Sequence, residues 1–190
     1  MESPLIISLF LGIGLAAATG FRIFLPLFAL SLAAYFDVWT LDESWQWLGS
    51  TAALISLGVA MVAELLAYYI PWVDNLLDSI ALPLAGIAGT AVMVATMTDM
   101  SPLITWALAI IAGGGTATAV KGATASTRLG SSVSTAGLGN PVVSTVETAS
   151  AVGMSILSFV APVVAGVVAL LILVSMYWLY RKLRPRRHKL

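Results

Sequence analysis

The chain has no cysteine, a single histidine and few charges, and each shortage removes a class of function. Without cysteine there are no disulfides, thiolate metal sites or cysteine nucleophiles, and the redox compartment is left open. The lone histidine, His188, lies in the C-terminal run RKLRPRRHKL, so neither a histidine-based metal site nor a Ser-His-Asp triad is expected. Charged residues make up 9% of the 190 residues against 59% hydrophobic. Several uncharged stretches reach the ~20 residues that a helix needs to cross a bilayer. A soluble core would show apolar and polar faces, whereas these runs are apolar all round. The composition predicts an all-α, polytopic membrane helical bundle, whose first partner is the lipid bilayer. Nothing in it points to nucleic acid, a metal or a cofactor.

Hydropathy marks six candidate spans, at residues 5–36, 51–70, 80–98, 102–120, 141–159 and 162–180. The first exceeds the hydrocarbon layer by roughly half at about 1.5 Å per residue. It is expected to tilt, kink or divide near Thr19-Gly20, with Pro26 bending the remainder of the run. No basic stretch precedes this segment, which therefore reads as a retained first span and not as a signal peptide. Six of the nine cations lie in the tail at 181–190, leaving Arg22, Lys121 and Arg128 in the remainder, 1–180, which reads as a single transmembrane domain. Basic residues favour the cytoplasmic side, so the tail is placed there. Counting six crossings back places the N-terminus there too, together with the 121–140 connection. The 37–50 loop then lies outside, and it carries Asp37, Asp42 and Glu43 without a Lys or Arg. Trp39, Trp45 and Trp47, and Tyr177, Trp178 and Tyr180 at the other end, suit the two interfacial belts.

An internal echo divides the chain into halves, 1–100 and 101–180. Gly12-x-Gly14-x-Ala16-x-Ala18 precedes Arg22, and Gly113-x-Gly115-x-Ala117-x-Ala119 precedes Arg128. LPLAG at 82–86 similarly echoes APVVAG at 161–166. Three crossings per half would give a 3+3 inverted repeat with broken first and fourth helices, an arrangement used by secondary transporters. The expected breaks are Gly20 and Pro26 in the first helix and Gly113, Gly114 and Gly115 in the fourth. Three further stretches carry a family resemblance: GLAAATGFRIFLPL, ELLAYYIPWVDNLLDSIALPLAGIAGT, and a K-x6-R followed by P-x5-E at Lys121, Arg128, Pro141 and Glu147. The chain resembles the domain-of-unknown-function 4126 family of bacterial integral membrane proteins. That resemblance implies a small multi-span protein of the bacterial inner membrane, and no stated activity.

The ionisable groups within or beside the spans are Arg22, Glu64, Asp74, Asp78, Lys121, Arg128 and Glu147. An unpaired charge at the bilayer centre costs at least ~2.5 kcal/mol, so these residues should face protein or water. Two readings stay open. In one, Arg22 pairs with Glu64, and Lys121 or Arg128 with Glu147, solely to hold the bundle together. In the other, the same pairs line a path for a small polar or anionic solute, with Glu64 as a proton carrier and Tyr68 on its face one turn later. Asp74 and Asp78 share a face of a helix beginning near Pro71, where they either bind a cation or answer the helix dipole. The Gly/Ser/Thr-rich segment 113–141 reads either as re-entrant backbone cradling an anion or as a flexible cytoplasmic loop. The expected function is thus a transporter and not an enzyme. The alternative is a non-transporting scaffold or lipid-interacting subunit packed through small-residue faces, and a homo-oligomer is compatible with either.

Overall fold

The apolar runs fold as helices throughout the computed structural model, which describes residues 4–70, 73–98 and 100–183. Among the described residues, eight α-helices run in order: α1 (Pro4–Phe21), α2 (Phe24–Tyr35), α3 (Thr51–Ala67), α4 (Val73–Thr96), α5 (Pro102–Leu108), α6 (Gly115–Thr135), α7 (Asn140–Val160) and α8 (Pro162–Leu183). A 3-10 helix (Glu43–Gly49) precedes α3, and a π-helical turn (Ala109–Gly114) fuses α5 to α6. Residues 1–3, Pro71, Trp72, Asp99 and residues 184–190, with most of the basic tail and His188, lie outside the described residues, as does the side chain of Tyr180.

Four described helices are long and apolar enough to cross a membrane: Leu76–Thr96, Pro102–Thr135, Asn140–Val160 and Pro162–Leu179. The 3-10 helix and α3, bent by 68° at their junction, make a fifth if counted together. Where six spans were expected, α1 and α2 are two shorter apolar helices. Their outward residues are apolar, as are Leu103, Ile111, Leu171 and Val174 on other helices. A belt of this extent suits lipid. Tyr177 and Trp178 are exposed at the end of α8, and Trp47 is exposed at the opposite end, as interfacial belts require.

The first apolar run divides, but at Arg22-Ile23 and not at Thr19-Gly20, both of which continue α1. Leu30 of α2 returns to pack with Leu11 and Leu15 of α1, so the two helices form an antiparallel hairpin with Arg22 at its tip. Pro26 does not bend α2. It occupies the first turn, where a missing N–H breaks no intrahelical bond. The expected break at Gly113–Gly115 is also absent, because the chain stays helical from Pro102 to Thr135 through the π turn. Residues 113–135 are accordingly neither re-entrant backbone nor a loop. Within that segment of the sequence only residues 136–139 turn, with Ala136 and Gly137 at positive φ, before α7 begins. Arg22 at a hairpin tip and Arg128 within a helix thus occupy unlike stations.

Helix directions follow from neighbours. The Phe10 ring of α1 lies against Gly166 near the start of α8, while Ala17 and Ala18 share a cluster with Ile172, Leu173 and Met176 farther along it. The two helices run parallel, which puts the described start of α1 and end of α8 at opposite ends of the bundle. The termini themselves, expected on one side, lie outside the described residues. The acidic 37–50 loop lies at the end of the bundle opposite the described end of α8; it is fastened to the end of α4 by the Asp42 N–H donating to the Ala95 carbonyl at 3.0 Å.

Small residues bring α4 and α6 together. A Cβ on Gly89 would sit 2.5 Å from the Ala117 Cβ and 2.8 Å from the Gly113 carbonyl oxygen. Backbones this close are what glycine provides at membrane helix crossings. Gly89→Val is expected to lose about 1–3 kcal/mol, the usual cost of overpacking. Gly153→Ala, where a Cβ meets nothing within 4 Å, should leave thermal unfolding in detergent unchanged. Equal melting of the two variants would refute close packing at Gly89.

Candidate functional site: a buried ionic centre

Helical spacing brings the charges together. On α6, Lys121, Thr124 and Arg128 fall at i, i+3 and i+7, and all three are buried. On α7, Asn140, Ser144, Glu147 and Ala151 form the buried stripe, with Thr148 beside it. Glu64 and Tyr68 are four residues apart at the end of α3, and Asp74 and Asp78 four apart at the start of α4. These faces converge at the end of the bundle where α1 stops and α2 starts.

Arg22 is fully buried. Its Nε donates to Thr148 Oγ1 at 3.1 Å, and its Nη2 to the Ser144 carbonyl at 2.9 Å and to Ser144 Oγ at 2.5 Å. The same Nη2 lies 3.7 Å from Glu147 Oε2. Arg128 grips Glu147 as a fork, Nε to Oε1 at 3.1 Å and Nη2 to Oε2. Its Nε also lies 3.8 Å from Asp78 Oδ2. One carboxylate therefore serves two guanidinium groups, a geometry that favours arginine over lysine. Both guanidinium carbons lie 4.3 Å from the centroid of the Tyr68 ring, and the Lys121 ammonium 5.1 Å from it. Desolvated cations gain roughly 2 kcal/mol from such a ring. Among the described residues, Nη1 of Arg22 and Nη1 of Arg128 have no hydrogen-bond partner.

Glu64 does not pair with Arg22. Its Oε1 accepts the Ile23 N–H at 2.9 Å and its Oε2 the Phe24 N–H at 3.0 Å. These donors belong to the N-terminus of α2, whose preceding residue supplies no side-chain cap. The carboxylate caps that helix from another one and answers its dipole. Arg22 takes Glu147 instead, together with Ser144 and Thr148. Of the alternatives for Glu147, Arg128 is its ion-pair partner, and Lys121 donates to the Tyr68 hydroxyl at 3.2 Å.

The two aspartates diverge despite their shared helix. Asp78 Oδ1 accepts from the Tyr68 hydroxyl at 3.2 Å, and its Oδ2 faces Arg128. Asp74 Oδ2 accepts from Asn140 Nδ2 at 3.0 Å, one turn nearer the helix start. All eight polar candidates, from Arg22 to Glu147, thus lie in or beside one network. Sequence reading missed Ser144, Thr148 and Asn140. The signal for Ser144 and Asn140 was their spacing of i−3 and i−7 from Glu147, which places hydroxyl and amide donors on the face of a buried acid, and Thr148 follows Ser144 by one turn on the adjoining edge.

The chain matches the model of the family described as "Domain of unknown function (DUF4126)" over residues 9–182. It belongs to the DUF4126 family. That match takes in every member of the ionic centre of this DUF4126 chain. Searches of curated proteins and of solved structures matched nothing.

Proposed function

We propose that the chain is a membrane transporter for a small anion, which binds between Arg22 and Arg128 in competition with Glu147. The observation that carries this reading is the pair of buried guanidinium groups sharing one carboxylate oxygen while each keeps Nη1 unpartnered among the described residues. An incoming anion would take the place of Glu147 Oε2 and meet additional donors on each arginine, and the released carboxylate would mark the other state of the cycle. A buried ion pair used in this way is a two-state element that a ligand biases by its differential contacts. With the basic end of α8 placed in the cytoplasm, the centre opens nearest that side. No chemical conversion is involved.

Thermal shift against inorganic phosphate, sulfate and short carboxylates tests binding, since a ligand at a hundred times its dissociation constant stabilises by about 2.7 kcal/mol. The expected result is stabilisation by one of these anions, its uptake into proteoliposomes, and loss of both in Arg22→Gln. Absence of any shift or flux would favour the scaffold reading. A groove of about 820 Å³ supports that second reading. Gly86 of α4, Gly114 of the π turn, and Gly115 and Ala119 of α6 are among its lining, small residues of the kind that admit a partner helix.

A further inference from the structure

Three cations surround one tyrosine ring, and two of them are arginines, whose charge is permanent in proteins. Of the three, Lys121 alone is able to give up a proton. It is 1% exposed, and Tyr68 is its one hydrogen-bond partner among the described residues, although an ammonium carries three donors. No carboxylate lies within ion-pair distance of it among those residues, whereas both arginines have one. The Tyr68 hydroxyl that accepts from Lys121 at 3.2 Å also donates to Asp78 Oδ1 at 3.2 Å. Asp78 is the outermost member, with 17% of its side chain exposed. Glu64, by contrast, has each oxygen engaged by a backbone N–H.

We infer that Lys121, Tyr68 and Asp78 form a proton relay from the buried centre to its rim, with Lys121 as the inner terminus and Asp78 as the exchange port. In one passage an N–H bond of the Lys121 ammonium breaks and its proton bonds to the Tyr68 oxygen. The original Tyr68 O–H breaks at the same time, and that proton bonds to Asp78 Oδ1. Lysine ends as the neutral amine, tyrosine is unchanged as the phenol, and aspartate becomes the acid that exchanges with water. No other reactant is required. Around Lys121 are Tyr68 just beyond the end of α3, Glu64 from α3, Asp78 from α4, Glu147 from α7 and Arg128 from its own helix, with Arg22 from the hairpin tip over the same Tyr68 ring. Loss of the ammonium charge leaves more of Glu147 and Asp78 to the two arginines. The relay therefore supplies a proton-dependent bias to the proposed anion site, and its use in transport rests on that reading, while its existence does not.

The test is a pH titration of the full chain in nanodiscs by NMR, following the Lys121 Nζ and Asp78 carboxyl signals with Lys182 as the exposed control. Each of the two curves is expected to carry both macroscopic steps of the pair, as coupled groups do. Tyr68→Phe keeps the ring over which the cations sit and removes the hydroxyl; it should reduce each curve towards a single step of its own. Lys121→Met should shift the Asp78 curve, while leaving that of Lys182 in place. Identical curves in wild type and Tyr68→Phe, or an Asp78 curve indifferent to Lys121→Met, would overturn the relay. Coupled titration without flux of any anion would leave the relay standing and defeat transport. Anion flux with uncoupled titration would do the reverse.

Discussion

Glu147→Ala is expected to be the most damaging single substitution in the centre, costing about 3–5 kcal/mol, the penalty for removing one partner of a buried ion pair. The magnitude reflects what stays behind. Arg128 would lose both bonds of its fork and keep only Asp78, at 3.8 Å. Arg22 would retain the hydroxyls and carbonyl of Ser144 and Thr148, which carry no countercharge. Glu147→Gln should fall between, since an amide oxygen still accepts one donor while its NH2 faces another. Thermal unfolding in detergent, ranked wild type, Gln, Ala, measures the effect. A Glu147→Ala protein that melts with the wild type would mean that the two guanidinium groups are compensated elsewhere, and the centre as described would be wrong.

The second large effect concerns Glu64. Glu64→Gln preserves shape but offers one acceptor to two backbone donors, and turns its NH2 toward the other N–H. About 2–3 kcal/mol should be lost, from one charge-assisted hydrogen bond and one buried donor left unpaired. The loss should also be local. Amide hydrogen exchange at Ile23 and Phe24 should accelerate, while amides in α7 and α8 stay protected. If exchange at those two residues is unaltered, the carboxylate is not their cap. A pH effect on transport in this variant could not by itself assign proton carriage to Glu64, because the hairpin tip beside Arg22 loosens with it.

Much of the fold is legible in the sequence because membrane helices are written as composition. The last two spans fall close to α7 and α8 with no tertiary information needed, whereas the fourth, 102–120, covers α5, the π turn and only the start of α6. The first run was harder. Arg22 ends α1, and α2 turns back at a site held by Glu64, forty residues downstream; no local signal at Thr19-Gly20 competes with that cap. The 113–135 segment misled for the opposite reason. Glycine, serine and threonine weaken a helix in water, but here Gly113 and Gly114 pack against Gly89, Gly86 and Thr90, and hydroxyls of Ser126, Thr127 and Ser134 bond back to carbonyls four residues earlier. The members of the ionic centre could be read as charges too costly to leave in lipid. Their pairing could not, because Glu147 and Glu64 are equally good partners for Arg22 until the hairpin tip is placed.

The π turn at Ala109–Gly114 has a bearing on the phase of the whole of α6. A wide turn stores one more residue than an α-helix allows, and one residue corresponds to roughly 100° of rotation about the axis. Were the helix from Pro102 α-helical throughout, Lys121 and Arg128 would be indexed roughly 100° away from the Tyr68 ring, with Leu82 and lipid as neighbours for the wrong residues. The register of the two cations is therefore set half a span away from them, by a single supernumerary residue beside Gly86 and Gly89.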